Sequence, residues 1–247
     1  MKRAYFIVAI LCFVAFNSQA QHKKIKVNTF EKIIISPHIA VDLVQGDEES
    51  VVIDNAKVPT DKIKVKVEGK TLRLYLDGAK TVTRSERVST DNWKGKKPIY
   101  NGTMATVIIT YKTLKNLSIR GEEIIKCKSP LDQDKLKLTI YGESKVYFDS
   151  VRLDELTVAI YGESYLEVGA GEVRRQVYRA YGESEVNTRE MNNKETKITA
   201  YGESNFRVNV SDRLKVSCYG ETTINYEGDA AVEKGIVIGE AEIRKIG

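Results

Sequence analysis

A tetrapeptide with three side chains that could take part in catalysis or binding recurs along the second half of the chain. Tyr-Gly-Glu-Ser begins at Tyr141, Tyr161, Tyr181 and Tyr201, and Tyr-Gly-Glu-Thr begins at Tyr219. A hydroxyl can act as a nucleophile only beside a base. After an N-terminal leader is removed, the histidines are His22 and His38, both far from the repeats in sequence. A Ser-His-carboxylate site repeated five times is therefore not indicated.

The glutamates of the repeat form an outward row that allows three interpretations. The row contains Glu143, Glu163, Glu183, Glu203 and Glu221, flanked by Glu122 and Glu240. It can be a solvated face in which Lys145 and Arg207 reduce the charge repulsion. It can also be a site for divalent cations such as calcium, or supply a carboxylate pair for glycoside cleavage. Cleavage needs two carboxylates with pKa values pushed apart, and a uniform row offers the opposite. We predict a non-enzymatic protein with no metal or cofactor.

The tyrosines of the repeat form a second outward row, which consists of Tyr141, Tyr161, Tyr181, Tyr201 and Tyr219. Stacking of these rings in a parallel ladder explains their repetition. An exposed tyrosine row beside carboxylates is also a candidate surface for sugar or protein ligands, since Tyr offers flat apolar area and a hydroxyl. The only tryptophan, Trp93, is a second candidate for ligand contact.

The spacing of the repeat defines the elements that position these side chains. Gly-Glu pairs begin at residues 121, 142, 162, 182, 202, 220 and 239, so the units are 18 to 21 residues long. Apolar residues occupy alternate positions, as in Leu136, Leu138, Ile140, Val146 and Phe148, which is typical of strands with one buried face. We predict an all-β fold, a right-handed parallel β-helix-like solenoid with rungs of about 20 residues, preceded by an N-terminal β-rich portion.

Glycine and serine of the repeat are assigned structural roles on the inner wall. The glycines let the sheet bend sharply or let opposite walls approach. The hydroxyls can bond a neighbour or a corner carbonyl, so that no buried polar group is unpaired. The glycine row is Gly142, Gly162, Gly182, Gly202 and Gly220; the hydroxyl row is Ser144, Ser164, Ser184, Ser204 and Thr222.

The N-terminus predicts export. Lys2 and Arg3 precede an apolar run over residues 4–16, and Ser18 and Ala20 fit a cleavage site, so residues 1–20 have the pattern of a signal peptide. Two cysteines remain after cleavage, Cys127 and Cys218. Five rungs at about 4.8 Å separate them by more than a disulfide spans, so both are predicted to be free and buried.

The charge and hydropathy pattern excludes two classes of partner. The net charge of the full chain is +5, and removal of Lys2 and Arg3 lowers it to +3 (5 − 2). The basic residues are interleaved with acidic ones rather than clustered, so nucleic acid is not indicated. No segment after residue 20 is apolar enough to span a bilayer.

Residues 21–247 are predicted to divide into an N-terminal β portion, 21–112, and the repeat solenoid, 113–247. Short alternating strands are expected over 29–36, 39–45, 50–55, 62–68 and 71–77. Residues 78–102 form the longest polar stretch, contain Trp93 and six basic residues, and are predicted to be a long loop.

The runs FEKIIISPHIAVDLVQGDEESVVID, residues 30–54, and IKVKVEGKTLRLYL, residues 63–76, resemble the entry of the head GIN domain family. The Gly-Glu-Ser units are similar to that family's Gly-small-Ser units, although Glu replaces the usual small residue. The resemblance covers residues 28–247. It implies a β-helix-like protein of the Bacteroidetes cell envelope or exterior, an adhesion module without established catalytic residues.

These observations together predict an exported, non-enzymatic adhesion or interaction module. Its partner is an unidentified glycan or protein of the envelope or the extracellular space. The alternative is a protein that binds or cleaves polysaccharides on a β-helix.

Overall fold

The computed structural model describes residues 23–90 and 93–247. The predicted signal peptide lies outside these residues. Within the described part, strands alternate with short turns, and one 3-10 turn occurs at Thr60–Lys62. The strands are β1 Lys23–Lys26, β2 Lys32–Ile35, β3 Ile39–Gln45, β4 Ser50–Ala56, β5 Ile63–Glu68, β6 Thr71–Leu76, β7 Ser85–Thr90, β8 Trp93–Pro98, β9 Ala105–Tyr111, β10 Asn116–Gly121, β11 Ile124–Cys127, β12 Leu131–Gly142, β13 Lys145–Phe148, β14 Val151–Tyr161, β15 Tyr165–Val168, β16 Gly171–Tyr181, β17 Ser184–Glu227 and β18 Ala231–Lys245.

Alternation of apolar and polar residues produces the strands of the repeats. In β12, Leu136, Leu138 and Ile140 are buried, while Lys137 and Thr139 face outward. The period of two gives each strand one face for the interior and one for solvent. The predicted all-β solenoid with coils of about 20 residues is confirmed.

Parallel pairing stacks each repeat on the previous one in register. Tyr141 pairs with Tyr161, Tyr161 with Tyr181, and Tyr181 with Tyr201. Gly121 pairs with Gly142, and Gly220 with Gly239. Because each residue lies beside its equivalent one coil away, every repeated side chain becomes part of a row along the solenoid axis.

The N-terminal strands belong to the same sheet as the repeats. β2 pairs in parallel with β10 and β6, and β3 pairs in parallel with β9 and β11. Antiparallel pairs in this sheet occur at its N-terminal end, where β4 joins β1 and β9, and β5 joins β6. The edges of the main sheet path are therefore β1 and β5.

The polar stretch over residues 78–102 contains a β-hairpin, whereas the sequence predicted a loop. β7 and β8 form a separate antiparallel pair in which Ser85 faces Pro98 and Thr90 faces Trp93. Both faces of this hairpin are largely exposed. Its sequence therefore lacks the apolar alternation of a half-buried strand, and the prediction was wrong for this reason. Trp93 begins β8.

The core is one continuous cluster along the inside of the coils. Leu138, Val158, Tyr178 and Ile198 stack as one inner row of four coils, all essentially buried. Cys127 and Cys218 are free and buried. Among the helices of the described residues, none has the length and hydropathy that a membrane crossing needs.

Candidate functional site

The tyrosines of the repeat form a continuous stack on the outside of the solenoid. Neighbouring ring centroids along the row from Tyr141 to Tyr219 are 4.9, 4.8, 4.8 and 4.7 Å apart, with interplanar angles of 9° or less. The strand spacing of about 4.8 Å sets these distances directly. We call this row the Tyr ladder.

Stacking removes the ring faces of the Tyr ladder from contact with a ligand. Each inner ring is covered on both faces by its neighbours, and the Arg120 guanidinium lies 4.6 Å from the centroid of Tyr141. The residue in register after Tyr219 is Ile238. The ladder therefore presents ring edges and hydroxyls instead of the flat apolar area that the sequence suggested. A sugar cannot lie flat on these rings without separating them.

The glutamates lie beside the Tyr ladder and line a shallow groove of about 320 Å³. Glu143, Glu163, Glu183 and Glu203 are exposed and come from four successive coils. Glu221 extends the row by one coil and is also exposed. The remaining lining residues are Lys145, Ser164, Tyr165, Ser184, Glu185 and Asn205. We call this surface the Glu groove.

The five glutamates of the row, from Glu143 to Glu221, have no ion-pair partner within residues 23–90 and 93–247. Lys145 and Arg207, which the sequence suggested as relief for the row, form no such pair. Neighbouring unit charges about 5 Å apart in water repel by roughly 0.8 kcal/mol per pair. No direct ion pair therefore neutralises the row, and Lys145 is the one cation that lines the groove among the described residues.

A second charged row of the same solenoid is compensated. Asp132, Arg152 and Glu172 stack in register on successive coils. Arg152 pairs with Asp132 at 3.1 Å and with Glu172 at 3.3 Å. A row of alternating sign is thus available to this fold, so the like-charged Glu row is not forced by the repeat.

The described side chains provide no preformed metal site: no three His, Cys, Asp or Glu residues among them are grouped so as to hold an ion. One carboxylate per coil, with Glu185 as a single addition, supplies too few converging oxygens for the six to eight ligands that calcium takes. The residues two positions after these glutamates differ from coil to coil, but all four glutamates are exposed, so none has the buried setting that separates a proton donor from a nucleophile.

The hydroxyls of the repeat are buried and bond the backbone of the preceding coil. Ser144 donates to the carbonyl of Gly121 at 2.9 Å, and Ser164 donates to that of Gly142 at 2.9 Å. Ser184 and Ser204 repeat the contact at 3.2 and 3.3 Å. Thr222 instead accepts a bond from Cys218. These hydroxyls are engaged with backbone and are not free nucleophiles.

The glycines of the repeat lie at the corner of each coil rather than on the inner wall. Gly142 is exposed, and Gly162, Gly182, Gly202 and Gly220 are half-buried. All have φ between 102° and 134°, a region that essentially only glycine enters. A Cβ at these positions would press on the glycine carbonyl of the preceding coil, so the close approach is between neighbouring coils and not between opposite walls.

The structure brings His38 to the first coil, although the sequence separates them widely. His38 Nδ1 lies 3.9 Å from the Glu123 carboxylate, and it donates to the Gly102 carbonyl at 2.8 Å. Nε2 lies 2.6 Å from the Thr83 hydroxyl and accepts from it when the ring is neutral. The Nδ1 proton is thus directed at the backbone and not at the carboxylate, and the cluster ties the segment before β7 to the first coil.

The sequence analysis did not identify Glu123. It occupies the position in the first coil that the serine hydroxyls occupy in the later coils. In register with Ser144, it is buried, and its carboxylate accepts from the Glu122 amide at 3.0 Å. Aligning Gly121-Glu122-Glu123 with Gly142-Glu143-Ser144 would have revealed this exchange. Tyr165, Glu185 and Asn205 were also missed; their signal is their position two residues after each repeat glutamate, on the outward face.

Burial raises the pKa of three further groups, two tyrosine hydroxyls and one thiol. Burial, followed by its bond to Glu167, raises the pKa of Tyr165 in the Glu groove to about 12. Burial also raises the pKa of the Cys127 thiol. Tyr111, which lies 3.4 Å from Cys127 Sγ, has its pKa raised by burial as well. Cys127 is therefore an inert core thiol.

Comparison with known proteins identifies relatives for nearly all of the described chain. A family described as "Putative auto-transporter adhesin, head GIN domain" matches residues 29–230. A "putative adhesin" from Bacteroides fragilis NCTC 9343 superimposes with a TM-score of 0.73 at 20% identity, covering 91% of this chain and 95% of the other. No functionally curated protein matches.

Two further solved structures have the same fold. A "putative adhesin" from Parabacteroides merdae ATCC 43184 gives a TM-score of 0.62 at 19% identity over 91% of this chain and 95% of its own. A "putative lipid binding protein" from Parabacteroides distasonis ATCC 8503 gives 0.66 at 18% identity over 92% of this chain and 96% of its own. At these identities the likeness concerns the fold alone.

Proposed function

Because the chain belongs to the family described as "Putative auto-transporter adhesin, head GIN domain", we propose that it is an exported, non-enzymatic adhesion module that contacts its partner through the Glu groove. The observation that carries this assignment is the row of exposed carboxylates without direct ion pairs. The same solenoid neutralises the row of Asp132, Arg152 and Glu172 by ion pairs. Maintaining unpaired glutamates costs free energy that an external cationic partner would recover.

The geometry favours an extended partner with repeated positive charges. The Glu groove crosses four coils and offers one carboxylate about every 4.8 Å. The row of Tyr hydroxyls beside it supplies donors and acceptors at the same spacing. A basic segment of an envelope or extracellular protein, or a glycan that bears amino groups, has the matching chemistry. Electrostatic attraction of this kind speeds association and weakens with salt.

The experiment is a glycan and matrix-protein array probed with protein that starts at residue 21, which keeps every described residue. Hits are then titrated with a variant carrying Glu163→Gln and Glu183→Gln. We expect at least tenfold weaker binding, with less dependence on salt. The matched control carries Asp132→Asn and Glu172→Gln, which removes the same two negative charges from the compensated row and should bind like the wild type.

Two results would overturn the proposal. Undiminished binding by the Glu163/Glu183 variant would remove the Glu groove from the contact surface. Release of reducing sugar from an array polysaccharide by the wild type, lost in the same variant, would favour the carbohydrate-cleaving alternative. Lipid vesicles belong in the panel because one neighbour of the same fold is described as lipid binding.

A further inference from the structure

The fold sorts onto one surface the basic residues that the sequence interleaves with acidic ones. This surface is the outer side of the sheet that runs from β5 through β6, β2, β10, β12, β14 and β16 to the first part of β17. In the row of the Tyr ladder and the two outward rows beside it, the one acidic residue on these strands is Glu68. The basic residues at the same positions are Lys32, Lys64, Lys66, Arg73, Arg120, Lys137, Arg179 and Lys197. We call this surface the basic face.

Strand register aligns the two rows beside the Tyr ladder along the solenoid axis. The first row is Lys66, Arg73, Ile34, Ser118, Thr139, Ala159, Arg179 and Thr199. The second row is Glu68, Thr71, Lys32, Asn116, Lys137, Thr157, Val177 and Lys197. Seven strand spacings of about 4.8 Å make the basic face roughly 34 Å long. Every strand along it except β14 contributes a cation.

The cations of the basic face form no ion pair with an acidic side chain among the described residues. Lys66 and Arg73 lie directly opposite each other in the antiparallel pair of β5 and β6, which is unfavourable for like charges. Arg120 lies over the Tyr141 ring. The face therefore holds positive charges that no direct contact neutralises.

Protection of a sheet edge accounts for only two of these cations. Lys64 and Lys66 lie on β5, an edge strand, and edge lysines discourage pairing with another chain. Arg73, Lys137 and Arg179 lie on strands that have a neighbour on both sides. The next outward row of the same strands alternates in sign, which shows that a solvated face of this sheet does not require one charge; its members are Lys135, Glu155, Arg175 and Glu195.

A groove of about 690 Å³ opens beside the middle of the basic face. Lys137 and Arg179 line it from the face itself, and Asn116 and Thr157 add an amide and a hydroxyl. The charged side chains that line the groove are Lys115, Lys135, Lys137, Arg179, Asp134 and Glu155. Lys115 is already paired with Glu31. Cations beside amide and hydroxyl groups suit a sugar unit that carries an acidic substituent, because charge-assisted hydrogen bonds hold the anion.

We propose that the basic face binds a linear acidic polysaccharide, which lies along the solenoid axis with its carboxylate or sulfate groups on the cations. A polymer with repeated anionic groups meets the cations of successive strands in turn. The hydroxyls of the Tyr ladder follow one side of this path at the same spacing and can bond the sugar hydroxyls. The groove beside Lys137 and Arg179 accommodates one of the sugar units.

The shape of the basic face favours a linear polymer over an anionic bilayer. Three rows two residues apart span roughly 14 Å. Glu155 and Glu195 flank them on one side, and the Glu groove follows the Tyr ladder on the other. A broad anionic surface would meet these acidic residues as well as the cations. Single-stranded nucleic acid is disfavoured because the stacked Tyr rings offer no free face for its bases.

The test is calorimetric titration of polygalacturonate and of heparin into protein that starts at residue 21. The wild type should bind at least one of them, and the variant with Lys137→Gln and Arg179→Gln should bind about tenfold more weakly and with a smaller salt dependence. Both side chains are exposed, so the fold should be retained. The matched control carries Lys126→Gln and Lys194→Gln, which removes two exposed cations outside the basic face and should bind like the wild type.

Three results would overturn the proposal. The first is a wild type that binds neither polysaccharide, and the second is an equal loss in the two variants, which would mean attraction by net charge alone. The third is tighter binding to single-stranded DNA or to phosphatidylglycerol vesicles than to either polysaccharide. Affinity should also rise with the length of galacturonate oligomers until they cover the face, and a disaccharide that binds as tightly as the polymer would contradict an extended site.

The polysaccharide site is independent of the function proposed for the Glu groove. The two surfaces lie on opposite sides of the Tyr ladder and carry opposite charge. The variant with Glu163→Gln and Glu183→Gln should therefore bind acidic polysaccharide at least as tightly as the wild type. A loss of this binding in that variant would place the polysaccharide in the Glu groove and would contradict the assignment to the basic face.

Discussion

The hydroxyl of Ser164 donates a hydrogen bond to the backbone carbonyl of Gly142, which lies one coil earlier, at 2.9 Å. Gly142 can offer its carbonyl in this direction because its φ is +102°. The serine of each repeat therefore uses the glycine of the repeat before it. Glycine and serine of the tetrapeptide form a single structural device that links successive coils at the same corner.

Gly182→Ala tests that device. Its φ is +111°, and an added Cβ would lie 2.9 Å from the Gly162 carbonyl oxygen. We expect the free energy of unfolding to fall by about 3 kcal/mol or more, since backbone strain and a backbone clash add. Urea denaturation measures the loss. Gly69→Ala is the matched control, because Gly69 also has positive φ but open space around it, and should cost about 1 kcal/mol. Equal losses at the two sites would contradict the close approach of the coils.

Tyr181→Leu tests the contribution of ring stacking. Tyr181 stacks on both Tyr161 and Tyr201, each at 4.8 Å, so the substitution removes two stacked pairs. At about 0.5–1.5 kcal/mol per aromatic pair, we expect a loss of about 1–3 kcal/mol in unfolding free energy. Tyr219→Leu removes only the pair with Tyr201 and should cost about half as much. The near-ultraviolet circular dichroism should weaken in the same order. Equal unfolding free energies for the two variants would mean that the backbone spacing imposes the stack and that the stacked rings do not stabilise the fold.

The repeat made most of this architecture predictable. Constant spacing of Gly-Glu and strict alternation around Leu138 fix both the register and the inward face. Contacts between distant segments were beyond the sequence. The bonds of His38 to Gly102 and Thr83 span 64 and 45 residues, and no period links these positions. The accessibility of the Tyr ring faces also could not be predicted, because it depends on the stacking distance and not on residue type.

The ion pairs of Glu31 predict how stability depends on pH. Glu31 bonds Lys70 at 2.8 Å and Lys115 at 3.0 Å, and these bonds, that with Lys70 first, lower its pKa below the ordinary value of 4.5. A carboxyl with a lowered folded-state pKa stabilises the fold above the unfolded-state pKa, and the contribution disappears as pH falls through the folded-state value. Glu31→Gln should therefore lower the Tm at pH 7 but much less at pH 3. Thermal scans between these values check it, with exposed Glu86→Gln as control. A difference that stays constant with pH would show that the pairs contribute nothing.

The buried polar pair Gln176 and Tyr178 predicts that substitutions at the two positions are coupled. Gln176 occupies an inner row between Leu156 and Thr196, is fully buried, and its Nε2 has no hydrogen-bond partner among the described residues. Its Oε1 accepts from the Tyr178 hydroxyl. An unsatisfied buried amide costs about 1–3 kcal/mol, whereas replacing both partners by apolar groups is close to neutral or stabilising.

Tyr178→Phe alone should lower the unfolding free energy by about 1 kcal/mol, because the amide oxygen then keeps only Thr188 at 3.5 Å. Adding Gln176→Leu should restore most of the loss, because it removes the unsatisfied amide and matches Leu156 in the same row, while the buried Thr188 hydroxyl, which loses its partner, limits the gain. Urea denaturation of the wild type, both single variants and the double variant gives the coupling energy. A double variant no more stable than Tyr178→Phe would mean that the Gln176 amide is satisfied in solution, with an internal water as the simplest partner.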